Sequence, residues 1–365
     1  MKKTLSITLL LSFLVLCNAQ NKQVASSELI DPALNEIQNV FLNNQAEALL
    51  NQANKVFSDY PPRWPEPEAR QSALLLLDGV LHEVYAHSRP PVQDFFKTRI
   101  SNAIDEIDQA EIINGARIWK LYNHSFVVKT NSVCIGFDLV SGISSGIEEF
   151  SLADEEMSRL IDHCDVLFIS HYHGDHAEES VAQLFIDQGK PVVAPASIWR
   201  DKAIYASILH LDRASHREQK LSIQKGQEEL KVVVYPGHQG SDIENNVYLV
   251  FTPEGLSFSQ MGDQSNGDDF EWIDEVANNH TVDVLMPNCW TTDIVRVASG
   301  FDPELIITGH ENEMGHTIDH REPYWLTYQR KEGSDRFGGN KNVGYDTPLI
   351  LMTWGESYHY KRNTL

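Results

Sequence analysis

Three histidines and an aspartate fall within six residues, His171-Tyr172-His173-Gly174-Asp175-His176, directly after Val166-Leu167-Phe168-Ile169 and Ser170. Few features constrain a fold more. The apolar, β-branched run reads as a buried strand, so the polar residues sit on a loop anchored to a rigid element, as a preorganised site needs. Imidazoles and a carboxylate are borderline-to-hard donors that suit Zn²⁺ or a similar divalent cation. His171 and His173, two apart in an extended chain, can direct their nitrogens to one ion. Gly174 permits a sharp turn, which lets Asp175 and His176 address a second ion a few Å away.

Two ions need further ligands, and the chain offers them at strand ends. His238 follows Val232-Val233-Val234-Tyr235, Asp263 follows the second arm of a predicted hairpin (246–252 with 255–260), and His310 follows Leu305-Ile306-Ile307-Thr308. Each has an adjacent glycine. Loops leaving one edge of a sheet sandwich would converge on one place.

The rest of the chain is organised around this pattern. Residues 20–112 form a helical N-terminal region. Its first predicted helix opens at Asp31-Pro32, an N-cap followed by proline, and carries Ile37, Val40, Phe41, Leu49, Leu50, Ala53, Val56 and Phe57 on one apolar face. Prolines between Pro61 and Pro67 stop it. Further helices are expected over 68–87 and 92–111. From 113 to 365, short strands alternate with helices, which indicates a layered α/β domain. Residues 1–19 read as a signal peptide: Lys2 and Lys3 precede the apolar stretch Leu5 to Leu16, with cleavage near Ala19. Periplasmic or secreted export follows. Bulky Leu16 before Cys17 counts against a lipoprotein, and the run is too short for a comfortable membrane span. Without the signal, Cys134, Cys164 and Cys289 remain. An odd number without a C-x-x-C pair is no disulfide scaffold; Cys134 and Cys164 read as buried thiols, and Cys289 has no evident base partner. The formal charge of −23 repels phosphate backbones, so nucleic acid is not an expected partner. A small molecule is, and the helical region offers a surface for a homo-oligomer.

The pattern H-x-H-x-D-H, then a distant His, an Asp and a final His, each after a strand, resembles the metallo-β-lactamase superfamily over residues 116–365. The resemblance implies a four-layer αββα sandwich, here preceded by a small helical segment. It implies that His171, His173 and His238 hold a first zinc, that Asp175, His176 and His310 hold a second, and that Asp263 bridges both. It further implies that Asp138, in Phe137-Asp138 near Gly142, supports the motif loop. The second histidine, His173, distinguishes the chain from iron flavoproteins of the fold, which resemble H-x-E-x-D-H. A bridging Asp263 departs from β-lactamases with a cysteine ligand. Asn123-His124-Ser125-Phe126 is similar to the G-H-[SA]-x-F signature of a branch that includes sugar-phosphate lactonases and N-acylphosphatidylethanolamine-type phospholipases D. The chain departs from it in having Asn for Gly, and Phe126 falls one residue early.

These readings imply a metal-dependent hydrolase with two divalent ions, zinc favoured, as its cofactors, using a metal-bridging hydroxide on an ester, lactone or phosphodiester. Asp175 and Asp263 are the candidates for handling the water's proton. His124, Trp290, His316, Arg321 and Tyr324 are candidate substrate residues: His316 and His320 would share a helix face near the metals, Arg321 or Tyr324 would grip an anion, and Trp290 would wall an apolar pocket. Two other classes share the motif. A persulfide dioxygenase-like oxidoreductase would hold a single iron, and a non-catalytic metal-binding protein would leave no open coordination position.

Overall fold

The computed structural model describes residues 32–143, 148–223, 228–333 and 344–362. The expected signal peptide lies outside them. Three helices lead: α1 (Pro32–Asp59), α2 (Glu68–Leu81) and α3 (Pro90–Gln109). Helix α2 ends earlier than the sequence pattern suggests, at Leu81, and a 3₁₀ turn follows at Ala86–Ser88. Prolines at the head of α3 fit its first turn, where no amide donor is needed.

The strands follow in chain order: β1 (Ala116–Lys120), β2 (Phe126–Lys129), β3 (Cys134–Phe137), β4 (Val166–Phe168) and β5 (Val192–Val193), then β6 (Gln219–Ile223), β7 (Glu228–Gln239), β8 (Ile243–Phe251), β9 (Ser257–Gln260), β10 (Val284–Met286), β11 (Leu305–Ile307), β12 (Leu349–Ile350) and β13 (Glu356–Tyr360). They make two mixed sheets, ordered β13-β1-β2-β3-β4-β5 and β12-β11-β10-β9-β8-β7-β6. Alternation along the strands divides each sheet. Ile118, Phe126, Val128, Ile135, Val232, Val234, Tyr248 and Val250 fill one buried cluster between the sheets. Trp119, Val127, Val233, Val247 and Leu249 face the other way, in a cluster shared with helices. The period-2 alternation thus yields two half-cores per sheet. Helices α4 (Asp154–His163), α5 (Glu179–Asp187), α6 (Phe270–Ile273), α7 (Val276–Asn279), α8 (Ile294–Phe301) and α9 (Tyr324–Lys331) complete the layers. This is the αββα order that the resemblance implies.

Residues 46–365 form one compact unit that includes most of the leading helices. Arg70 of α2 pairs with Glu356 of β13 (2.5 Å) and donates to Leu351 O (2.6 Å), and Arg99 of α3 donates to Trp354 O (2.6 Å). Leu50, Ala53 and Phe57 of α1 are buried as expected. Ile37, Val40 and Phe41, placed on the same apolar face, are 66, 55 and 64 % exposed. Periodicity marks an apolar face, but burial depends on whether another element covers it.

Candidate metal centre

Topology explains why distant residues meet. Strands β9, β10, β11 and β12 are mutually parallel, so the chain leaves them at one edge, where ligand-bearing loops of open α/β sheets collect. Asp263 follows β9 and His310 follows β11. The motif loop leaves β4, which is parallel to β3, and Asp138 follows β3. The backbone is bent to fit: Asp138, Asn123 and His310 have φ of 46°, 53° and 74°, in the left-handed region that non-glycine residues rarely occupy outside functional sites. Gly262, beside Asp263, has φ 53°, and a Cβ there would come within 2.3 Å of Asn245 Oδ1 and 2.5 Å of Ser170 Cβ. Only glycine lets these loops approach.

Among the described residues, two sets of three donor atoms that share no residue result, each with all atoms within 4.8 Å of one another: His171, His173 and Asp263, and Asp175, His176 and His310. Asp263 links them, its Oδ2 being 3.6 Å from His171 Nε2 and its Oδ1 3.3 Å from His176 Nε2 and 3.4 Å from His310 Nε2. Asp175 Oδ2 lies 3.4 and 3.3 Å from the same two nitrogens. Yet Nε2 of His171, His176 and His310 and Oδ1 of Asp263 are buried with no hydrogen-bond partner of acceptable geometry among the described residues. Burying such atoms unpaired costs roughly 1–3 kcal/mol each. Imidazole nitrogens and carboxylate oxygens converging with no other partner fit divalent cations.

The electrostatics agree. Burial, and then the neighbouring His176, pushes His171 well below the usual imidazole range; burial lowers His173 too. Burial also opposes charge on His176 and His310, but Asp263 and Asp175 outweigh it, raising His176 well above its ordinary value and His310 to about 10. Both carboxylates, despite burial, are held well below theirs. The pair makes a negative well that favours positive charge between them.

A scaffold of hydrogen bonds holds these donor residues. Asp138 accepts from Ser170 N (2.7 Å), Ser170 Oγ (2.7 Å) and Gln260 Nε2 (2.6 Å), and its Oδ2 is 2.8 Å from His176 Nδ1. The supporting role expected of it is the one it has. Asn123 Nδ2 donates to Asp175 Oδ2 (3.0 Å), its main-chain carbonyl accepts from His310 N (3.1 Å), and Ser125 Oγ donates to Asp138 O (2.5 Å). The Asn in place of the signature glycine therefore keeps a glycine-like backbone and adds a bond to Asp175.

His238 falls in neither set; it is half-exposed, its Nδ1 lies 2.8 Å from Asp269 Oδ1, and its amide donates to Asp269 Oδ2 (2.9 Å). Sequence reading missed Asp269, which sits in a polar run indistinguishable from a surface loop. It also missed Gln239, whose Nε2 donates to Asp263 Oδ2 (3.0 Å).

Of the substrate candidates, Trp290 and His316 reach the centre: their rings lie 5.5 and 5.4 Å from the His310 ring. Both line a cleft of about 400 Å³ with Gln239, Gly315 and His320. His316 and His320 share no helix; they lie in successive turns after His310. Arg321 cannot grip a substrate. It is 1 % exposed and donates to the carbonyls of Leu81 (2.7 Å), Glu83 (3.0 Å) and His316 (3.1 Å). Tyr324 is likewise buried, with its hydroxyl on Met352 O (3.3 Å). Cys289 is buried, and burial pushes its thiol well up, which removes it as a nucleophile.

No family model matches the chain, and no curated protein matches it. Solved structures do. The metallo hydrolase Igni18 from Ignicoccus hospitalis is 15 % identical, with 68 % of this chain and 100 % of that one covered and a TM-score of 0.46. An isothiocyanate hydrolase from Delia radicum gut bacteria is 11 % identical, covering 67 % and 99 %, with a TM-score of 0.47. The diiron β-hydroxylase CmlA from Streptomyces venezuelae is 14 % identical, covering 55 % and 46 %, with a TM-score of 0.41.

Proposed function

We propose that the chain is an exported metal-dependent hydrolase of the metallo-β-lactamase fold, with two divalent ions, zinc preferred, acting on an ester, lactone or phosphodiester of a small molecule. The observation that carries this reading is the pair of three-residue donor sets joined at Asp263, with buried lone pairs facing one another beside a cleft. Divalent ions held there supply Lewis acidity and make water a nucleophile near neutral pH.

The chain's own residues do the rest. His171, His173, Asp175, His176, Asp263 and His310 hold the ions, and His238 joins them through the nitrogen that Asp269 leaves free. Asp175 and Asp263, held well below ordinary carboxylates, contribute ligation and negative charge, and are the carboxylates placed to accept the water's proton. Trp290 walls the cleft. His316, which burial keeps neutral near pH 7, faces it as a hydrogen-bonding group for the substrate. The charge of −23 leaves nucleic acid a poor substrate.

Elemental analysis of the purified protein, with turnover of a panel of lactones, phosphodiesters and β-lactams, tests the reading. Two zinc equivalents per chain and hydrolysis of at least one ester-type substrate are expected, both lost in His173→Ala. Full metal content in that variant, or a single iron in the wild type, would overturn it.

A further inference from the structure

Among the described residues, His124 is the one imidazole at the centre that neither the ligand pattern nor the substrate cleft explains. It is wholly buried, and neither ring nitrogen has a hydrogen-bond partner among the described residues. An imidazole so placed forfeits the solvation of both nitrogens. It is also built in. A Cβ on Gly309 would stand 2.2 Å from His124 Cδ2, so glycine before His310 makes room for this ring. Its backbone neighbours are tied to the centre on both sides, through Asn123 to Asp175 and His310 and through Ser125 to Asp138. The ring centroid lies 5.8 Å from that of His176 and 6.4 Å from that of His310. A nitrogen of His124, one of His176 and an oxygen of Asp263 form a third donor set within 4.8 Å.

Resting on the metal reading above, we infer that His124 is itself a metal ligand, coordinating through one imidazole nitrogen the ion that His176 and Asp263 hold. Coordination gives one orphaned lone pair a partner and leaves the other nitrogen as the N–H. It also accounts for the Asn123-His124-Ser125 segment as part of the centre rather than of the substrate wall.

Crystals of the full chain grown with zinc decide the question without a variant. A His124 nitrogen about 2.0–2.1 Å from an anomalous zinc peak is expected; both nitrogens more than about 3 Å from every peak would overturn the inference while leaving the two-metal hydrolase intact. In solution, His124→Gln should weaken zinc retention against a chelator about 10–100-fold and alter the visible spectrum of the cobalt-substituted protein. A folded variant with wild-type zinc affinity and an unchanged cobalt spectrum would also overturn it. Wild-type protein that takes up no zinc at all would sink the metal reading and this assignment together.

Discussion

At the scale of single residues, Asp138 shows how a group outside the ligand set governs it. One buried carboxylate receives Ser170 N, Ser170 Oγ and Gln260 Nε2 and orients His176 through Nδ1. Replacing it with alanine strands several buried donors and frees the His176 ring. Asp138→Ala is therefore expected to weaken zinc binding by about 10–100-fold, read by competition with a chromophoric chelator, and to lower the thermal midpoint of the metal-free protein as well. Unchanged zinc affinity would contradict the role. Asp138 was legible in the sequence because it follows a strand at the position that the resemblance marks. Arg321 and Tyr324 were misread because proximity to His310 along the chain says nothing about which way a side chain points. Both turn inward, and a buried guanidinium that saturates main-chain carbonyls is a structural brace.

At the scale of elements, helix α9 depends on a residue far away in sequence. Its N-terminal flank is Pro323, which offers no side-chain cap. Asp78 of α2 supplies one instead, accepting from Tyr324 N (2.9 Å) and Trp325 N (3.0 Å), and also from Asn312 Nδ2 (2.9 Å). Burial raises the Asp78 carboxyl to about 6 despite these donors. Asp78→Ala leaves amides of the first turn unpaired and should cost about 1–3 kcal/mol. Because Asn312 belongs to the loop after His310, the zinc affinity of this variant should fall too. Asp94→Ala on exposed α3 surface is the matched control, expected to change neither; equal melting of the two variants would refute the cap. No local pattern announces such a contact. The helices themselves were legible from their 3.6-residue periodicity and proline boundaries, whereas the covering of their faces was not, as Ile37, Val40 and Phe41 show.

At the scale of the whole molecule, Asp283 joins the two sheets. It accepts from Tyr360 Oη of β13 (2.8 Å) in one sheet, from Ser257 N of β9 (2.7 Å) in the other, and from Arg362 Nε (2.6 Å). Burial opposes its ionisation, but Arg362, Tyr360 and Ser257 outweigh burial and hold its pKa below 3.8. A folded pKa below the unfolded one contributes stability that is full above the unfolded value and fades as pH falls through the folded value. Asp283→Asn should thus melt below wild type at pH 7 and pH 5, with the gap narrowing below about pH 3.8. A gap independent of pH down to 2.5 would exclude the ionised carboxylate as its cause. Removing divalent ions should also lower the wild-type midpoint, since a ligand present at about 1,000 times its Kd stabilises by roughly 4 kcal/mol; melts with and without chelator measure this.

The sequence by itself determined the kinds of element, the αββα layering and most of the donor set, because strand and helix periodicities and ligand-bearing strand ends are local patterns. Only the tertiary structure decided that His238 is seated on Asp269 outside the two donor sets, that Arg321 and Tyr324 are buried braces, and that His124 lies among the donor side chains. Those outcomes depend on which loops the parallel strands bring to one edge and on how closely Gly262 and Gly309 let them approach, and such non-local packing leaves no mark on neighbouring residues.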